Sequence, residues 1–202
     1  MRVLVACEFS GIVSAAFRKR GHDAWSCDLL PSEGDPAWHI QGDVLTVLQK
    51  CNCWDMMIAH PPCTYLCNSG VRWLHENGGE NDRWGKLDEA AEFYRKLRDA
   101  PILRKCIENP VMHGHAMRRI GLGRRQFVQP WWFGDKAFKA TGLELIGLPD
   151  LVPTNKLVPP ERGTDEHKAW SAVHRASPGP DRWRERSRTL PGIANAMASR
   201  WG

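Results

Sequence analysis

Apolar residues fall along this chain in two rhythms. Dense runs of Val, Leu, Ile and Met occupy Arg2 to Cys7 (RVLVAC) and Trp54 to Ala59 (WDMMIA), the pattern of strands buried on both faces. Elsewhere they recur at helical spacing. In IVSAAFRKRG, Ile12, Val13, Ala16 and Phe17 share one face, basic residues fill the last turn and Gly21 supplies a stop. VLTVLQK predicts a brief helix, and LDEAAEFYRKLRDA an amphipathic one ended by Pro101. Asp23 to Cys27 reads as a second strand ending at Asp28, and Gly42-Asp43 closes a third short element. LRKCIE, residues 103–108, predicts a strand ending at Glu108-Asn109-Pro110. RQFVQP and LELIGLP predict the last strands, and PGIANAMASRWG a C-terminal helix with proline at its start.

Strands alternating with helices define an α/β chain, with a mostly parallel sheet covered by helices on both faces. The 202 residues fit one domain, 1–202. Such sheets bind ligands at the carboxyl ends of their strands. The chemically unusual residues gather at those ends: Glu8-Phe9-Ser10-Gly11, Asp28, Asp43, Pro61-Pro62-Cys63 and Glu108-Asn109-Pro110.

The first strand, glycine turn and helix form half of a Rossmann-type unit without the G-x-G-x-x-G fingerprint, so a dinucleotide is not expected. Asp28 stands where a ribose hydroxyl pair is held, and Asp43 is placed to accept from an adenine amino group. Each alone reads as well as a helix cap or turn former. Together, in this order, they point to an adenosine ligand without a pyrophosphate, such as S-adenosylmethionine. At the other end, two prolines stiffen the backbone before Cys63. A soft, partly ionised thiolate there suits addition to an electron-poor carbon. Glu108, with its carboxyl raised by burial, suits protonation of a ring nitrogen. The pair fits covalent activation of a pyrimidine.

Composition refines this picture in three places. The net charge of +5, with Arg182, Arg184, Arg186 and Arg188 at alternate positions, suits a polyanionic partner. Seven cysteines without a disulfide framework read as free thiols. The C-x-C of Cys51 and Cys53 is not a zinc knuckle, and no metal is expected. No apolar run is long enough to cross a membrane and no signal pattern opens the chain, so a cytoplasmic setting is expected. Asn68 to Gly85 reads as a mobile loop and candidate lid beside Cys63. Residues 152–183 read either as a substrate-facing excursion or as a solvated loop. Most of the ten tryptophans read as loop-packing residues, with base stacking the sharper reading.

In the order EFSG, Asp28, Asp43, PPC and ENP, the chain resembles the cytosine-5 DNA methyltransferases. FVQPWWFGD and RTLPGIANAMASRWG resemble a compact, phage-type branch of them. The resemblance covers residues 2–143 and 186–202, and implies the S-adenosylmethionine-dependent methyltransferase fold. It implies that Cys63, with Pro62, attacks carbon 6 of cytosine, and that Glu108, with Asn109, holds and protonates the base. Cys7, Glu8, Phe9, Ser10, Gly11, Asp28, Leu29, Asp43, Val44 and Pro61 would line the cofactor site, with Asn195 on the last helix packed back toward it. Methyl transfer to carbon 5 and elimination of Cys63 would follow. The loop carries Ser10 and Ile12 around Gly11, where the family usually has a second glycine. The family's Gln-x-Arg-x-Arg segment corresponds either to Arg124-Arg125 or to Arg186 and Arg188, as substrate or DNA ligands. A large target-recognition domain has no room, and residues 144–185 are the segment that would supply a reduced one. The resemblance thus implies DNA as substrate and, for a phage protein, the host cytoplasm. A free cytosine nucleotide such as dCMP, a different one-carbon modification, or a catalytically silent DNA-binding relative are the alternatives.

Overall fold

The computed structural model describes residues 1–75, 82–121, 123–175, 179 and 182–202. Among these, seven strands form one sheet in the order β3-β2-β1-β4-β5-β7-β6. They are β1 (Arg2–Ala6), β2 (Asp23–Asp28), β3 (His39–Gln41), β4 (Met56–Ala59), β5 (Arg104–Asn109), β6 (Arg125–Val128) and β7 (Thr141–Ile146). β1 to β5 are mutually parallel. β7 runs antiparallel to both β5 and β6, so it alone is reversed in this sheet. Strand order turns outward in both directions from the β1–β4 pair, which opens a crevice at their carboxyl ends.

Alternation along the inner strands separates two cores. Leu4 and Ala6 of β1 and Met57 and Ala59 of β4 face one side. There they meet α2 (Val44–Lys50), α3 (Arg83–Arg98) and α4 (Gly114–Ile120), through Leu48, Leu87, Tyr94 and Ile120. Val3, Val5, Met56 and Ile58 face the other side, against α1 (Ile12–Arg18) and α8 (Pro191–Trp201), through Phe17, Ile193, Met197 and Trp201. Trp201 is fully buried and its indole N–H donates to Pro149 O at 2.9 Å. The expected α/β architecture, with helices on both faces, is the one observed.

Some elements differ from expectation. α4 lies in a stretch without a predicted helix. Its cap is a histidine, His113, whose ring Nδ1 accepts from Ala116 N at 3.1 Å, so the usual Ser, Thr, Asp or Asn signal is missing. The expected lid contains a 3-10 helix, Asn68–Leu74, and the first residues of α3; its middle, 76–81, lies outside the described residues. The polar stretch 152–183 carries α5 (Asp165–Trp170), α6 (Ala172–Arg175) and the start of α7 (Arg182–Ser187), with 176–178, 180 and 181 outside the description. Trp170 is buried against Phe138, a loop-packing role. Cys51 and Cys53 are disulfide-linked rather than free. No helix among the described residues is long and apolar enough to cross a membrane.

Candidate active site

The turn after β1 is built by strain and capping. Cys7 adopts φ 57°, a left-handed conformation that costs a non-glycine residue and recurs at functional sites. Gly11, at φ 69°, opens α1. Glu8 is buried, and its carboxylate accepts from Val13 N (2.6 Å) and Ser14 N (3.2 Å), satisfying free donors at the start of α1. Glu8 therefore shapes the loop by holding the helix, while Phe9 and Ser10 reach the cavity wall.

β4 ends at Ala59, and the backbone N of the next residue, His60, still donates to Ala6 O of β1 at 2.9 Å. Pro61 and Pro62 then carry the chain to Cys63, whose carbonyl accepts from Leu66 N and Cys67 N, both at 3.0 Å, so a helical turn starts at the cysteine. The buried Asn109 amide at the end of β5 donates to Pro61 O at 3.1 Å and locks the proline loop onto its neighbour strand. Glu108, one residue earlier and also buried, meets His60 Nδ1 through Oε2 at 3.1 Å.

Cys63 lies on the wall shared by two adjoining cavities. One, of about 90 Å³, reaches Glu8, Ser10, Glu108 and the segment 186–189. The other, of about 580 Å³, reaches Phe9, Asp28, Leu30, Trp73 and Trp183. The larger is the size of a site for a drug-sized ligand. Asp28 Oδ1 accepts from Leu30 N at 3.0 Å while the residue keeps its place on the cavity wall.

The electrostatics depart from expectation at Glu108. Burial pushes its carboxyl up, but the His60 hydrogen bond and charge, with Lys139 and Arg125, outweigh burial and hold it below the usual carboxylate range. The isolated site therefore keeps a carboxylate there, not the neutral acid the sequence suggested. The thiols form a coupled pair. The hydrogen bond with Cys67, then burial and the Glu108 charge, push Cys63 up. Cys67 is pulled down by that same bond and, against its burial, by the Ser69 hydroxyl and the backbone of Ser69 and Gly70.

Several expected residues stand elsewhere. Asp43 is exposed and caps α2, accepting from Leu45 N at 2.9 Å, and Val44 is buried in the core. Leu29 is exposed, and its neighbour Leu30 lines the larger cavity in its place. Asn195 faces solvent on α8, whose neighbours Thr189, Leu190 and Ile193 line a small recess beside Glu108. The arginines divide. Arg124 is exposed and pairs with Asp150 at 2.6 Å. Arg125 is drawn inward, donating to Asn109 O (2.7 Å) and Pro110 O (3.2 Å), so it supports the Glu-Asn-Pro turn from behind. Arg188 grips Glu33 through two bonds of 3.0 and 2.8 Å, and Arg184 joins it at 2.7 Å. Arg186 lines both cavities. With Trp183 against Phe9, ring centroids 6.0 Å apart, residues 182–189 form a strap over the site pinned to Glu33.

His60 and Lys139 are site residues that sequence reasoning missed. His60 stood beside the proline pair, a usable signal. Lys139 carried none, because the strand reversal that brings it to Glu108 and Cys63 is a property of the assembled sheet.

No family model and no curated protein matches this chain. Among solved structures, a protein described as a candidate DNA modification methyltransferase encoded within an Escherichia coli prophage superposes with a TM-score of 0.51 at 14% identity. The match covers 78% of this chain and 52% of the other, so the chain spans about half the length of that structure. The likeness shows a shared fold: the mostly parallel α/β sheet of this chain is the architecture of that methyltransferase structure.

Proposed function

We propose that this protein is an S-adenosylmethionine-dependent methyltransferase acting on carbon 5 of cytosine in DNA, with Cys63 as nucleophile. One observation carries the reading: Cys63 stands on the wall shared by two cavities, with Glu108 on one and Asp28 on the other. The residues fit the cofactor. Asp28 and Phe9 offer a carboxylate and a ring to an adenosine, the left-handed Cys7 shapes the adjoining turn, and the cavity has the volume for it. When bound, the cofactor supplies an electrophilic methyl group.

The chain's own residues do the rest. Pro61 and Pro62 aim Cys63, and Asn109 holds the loop. The Cys63 thiolate adds to carbon 6, and the electron pair displaced toward ring nitrogen 3 takes a proton from Glu108. Glu108, a carboxylate in the isolated site, takes up a proton from water as the base enters, and His60 stabilises the carboxylate that re-forms once nitrogen 3 is protonated. After transfer, nitrogen 3 returns its proton to Glu108, the carbon 5 proton leaves to water, and the electron pair it leaves behind forms the carbon 5–carbon 6 double bond as the Cys63 thiolate departs.

The test is incubation with S-adenosylmethionine and DNA carrying 5-fluorocytosine in many contexts, since fluorine blocks the final elimination. A denaturing-gel adduct absent in Cys63→Ser supports the reading; no adduct, with cofactor bound, refutes DNA as substrate. A free cytosine nucleotide is the second reading, favoured by the strap of residues 182–189 that crosses the Cys63 cavity. Tritium release from carbon 5 of dCMP, set against DNA, separates the two.

A further inference from the structure

Cys63 is poorly placed to ionise by itself. It sits half-buried beside the Glu108 carboxylate. It also competes with Cys67, whose sulfur meets Ser69 Oγ at 3.0 Å. Burial and a neighbouring negative charge both oppose a thiolate. A nucleophile in these surroundings needs a cation.

The reversed strand delivers one. β7 pairs antiparallel with β5, Gly142 lying opposite Asn109. The residues just before β7 therefore arrive at the carboxyl edge of β5, where the parallel strands end in Cys63 and Glu108. Lys139 reaches the site there and lines both cavities with Cys63. Its ammonium donates one hydrogen bond to Arg188 O at 2.8 Å, and two of its three donors remain for other acceptors. Its charge favours the Cys63 thiolate.

We propose that Lys139 is a catalytic residue whose ammonium holds the Cys63 thiolate. This rests on the reading of Cys63 as nucleophile. The S–H bond breaks and its proton leaves to water through the cavity mouth. The charge stays on sulfur opposite the ammonium, and that electron pair forms the bond to carbon 6. The Arg188 carbonyl seats the ammonium, so the strap orders the nucleophile's counter-ion as well as covering the site. The groups facing the pair are Cys67, Glu108, His60 and Arg186. Burial above all holds the Lys139 ammonium below the usual lysine range; Glu108 and Cys63 support the charge, and Arg186 opposes it.

The experiment measures iodoacetamide alkylation of Cys63 against pH in the full chain, by peptide mass mapping, with Cys67 followed in the same samples. In Lys139→Gln the Cys63 rate at neutral pH should fall about tenfold, because the reactive species is the thiolate. Lys139→Arg should restore most of it, and Cys67 should not slow. Lys139→Met, which keeps the apolar stem, carries the test if the glutamine variant does not fold. An unchanged Cys63 profile in a folded, cofactor-binding Lys139→Gln or Lys139→Met protein overturns the proposal. Alkylation needs no substrate. A shifted profile with no wild-type adduct on DNA or nucleotide keeps the Lys139 role and rejects the cytosine reading.

Discussion

Replacing Asn109 with alanine tests the tie between β5 and the proline loop. The amide is fully buried and donates to Pro61 O at 3.1 Å. Alanine deletes that bond, about 1 kcal/mol net, and leaves the buried Pro61 carbonyl unpaired, about 1–3 kcal/mol more. It also removes Asn109 Oδ1, itself buried without a partner, which gives part of the loss back. The net cost is about 2 kcal/mol, or about 4–8 °C in Tm for a domain of this size. Cys63 stands two residues beyond Pro61, so the freed loop should also misplace the sulfur. A misplacement on the order of 1 Å slows a positioned reaction about a hundredfold. Scanning calorimetry reads the first effect and the adduct rate on 5-fluorocytosine DNA the second, with cofactor binding retained. Asn109→Asp should be worse, because its carboxylate would face the Pro61 carbonyl with no donor between them. An alanine variant with unchanged Tm and adduct rate would show that the β5 tie does not position Cys63.

Three further outcomes follow from the same geometry. A Cβ at Gly142 would press on the Arg125 guanidinium and stand 3.0 Å from Asn109 O, so Gly142→Ala should cost about 1–3 kcal/mol by overpacking and slow the adduct; denaturant melts and trapping rates check it. Asp28→Ala should weaken S-adenosylmethionine binding by about 1–3 kcal/mol in calorimetry, and unchanged affinity would make Asp28 a turn former. Glu33 is held below its ordinary range, chiefly by the Arg188 hydrogen bond and then, against slight burial, by Arg184. A depressed folded value means the strap's tether is complete above the ordinary carboxylate pKa and is lost as pH falls through the lower folded one. Trp183 fluorescence should report opening in that acid window, and Glu33→Gln should open the strap at neutral pH; an emission indifferent to both would detach the strap from Glu33.

The sequence carried the sheet because Val3 to Ala6 and Met56 to Ala59 are apolar on both faces, a pattern few alternatives share. It carried the strand-end cluster too, since Cys63 after two prolines and Glu108 before Asn109-Pro110 are unusual pairings at local range, and the fold brings both to one cavity. It misled where a side chain's partner lies far along the chain. Arg125 and Arg188 read as candidate substrate or DNA ligands because the local sequence does not reveal that Asn109 O or Glu33 will occupy them. Glu108 read as a neutral acid because burial was visible in outline and His60 beside it was not. Lys139 was silent because its place depends on β7 running backwards.

The packing of α8 on α1 has a consequence for biosynthesis. The apolar face offered by Val3, Val5, Val13 and Phe17 is covered by Ile193, Met197 and Trp201, which lie far downstream in the sequence. Until those residues are made, the nascent chain must carry that face unpaired, exposed to chaperones and to other nascent chains. The strap leads directly into α8, so the same late docking event that seals the core also seats Arg188 over Lys139. The segments carrying Cys63 and Glu108 would thus be made well before the strap that covers them has a core to dock on.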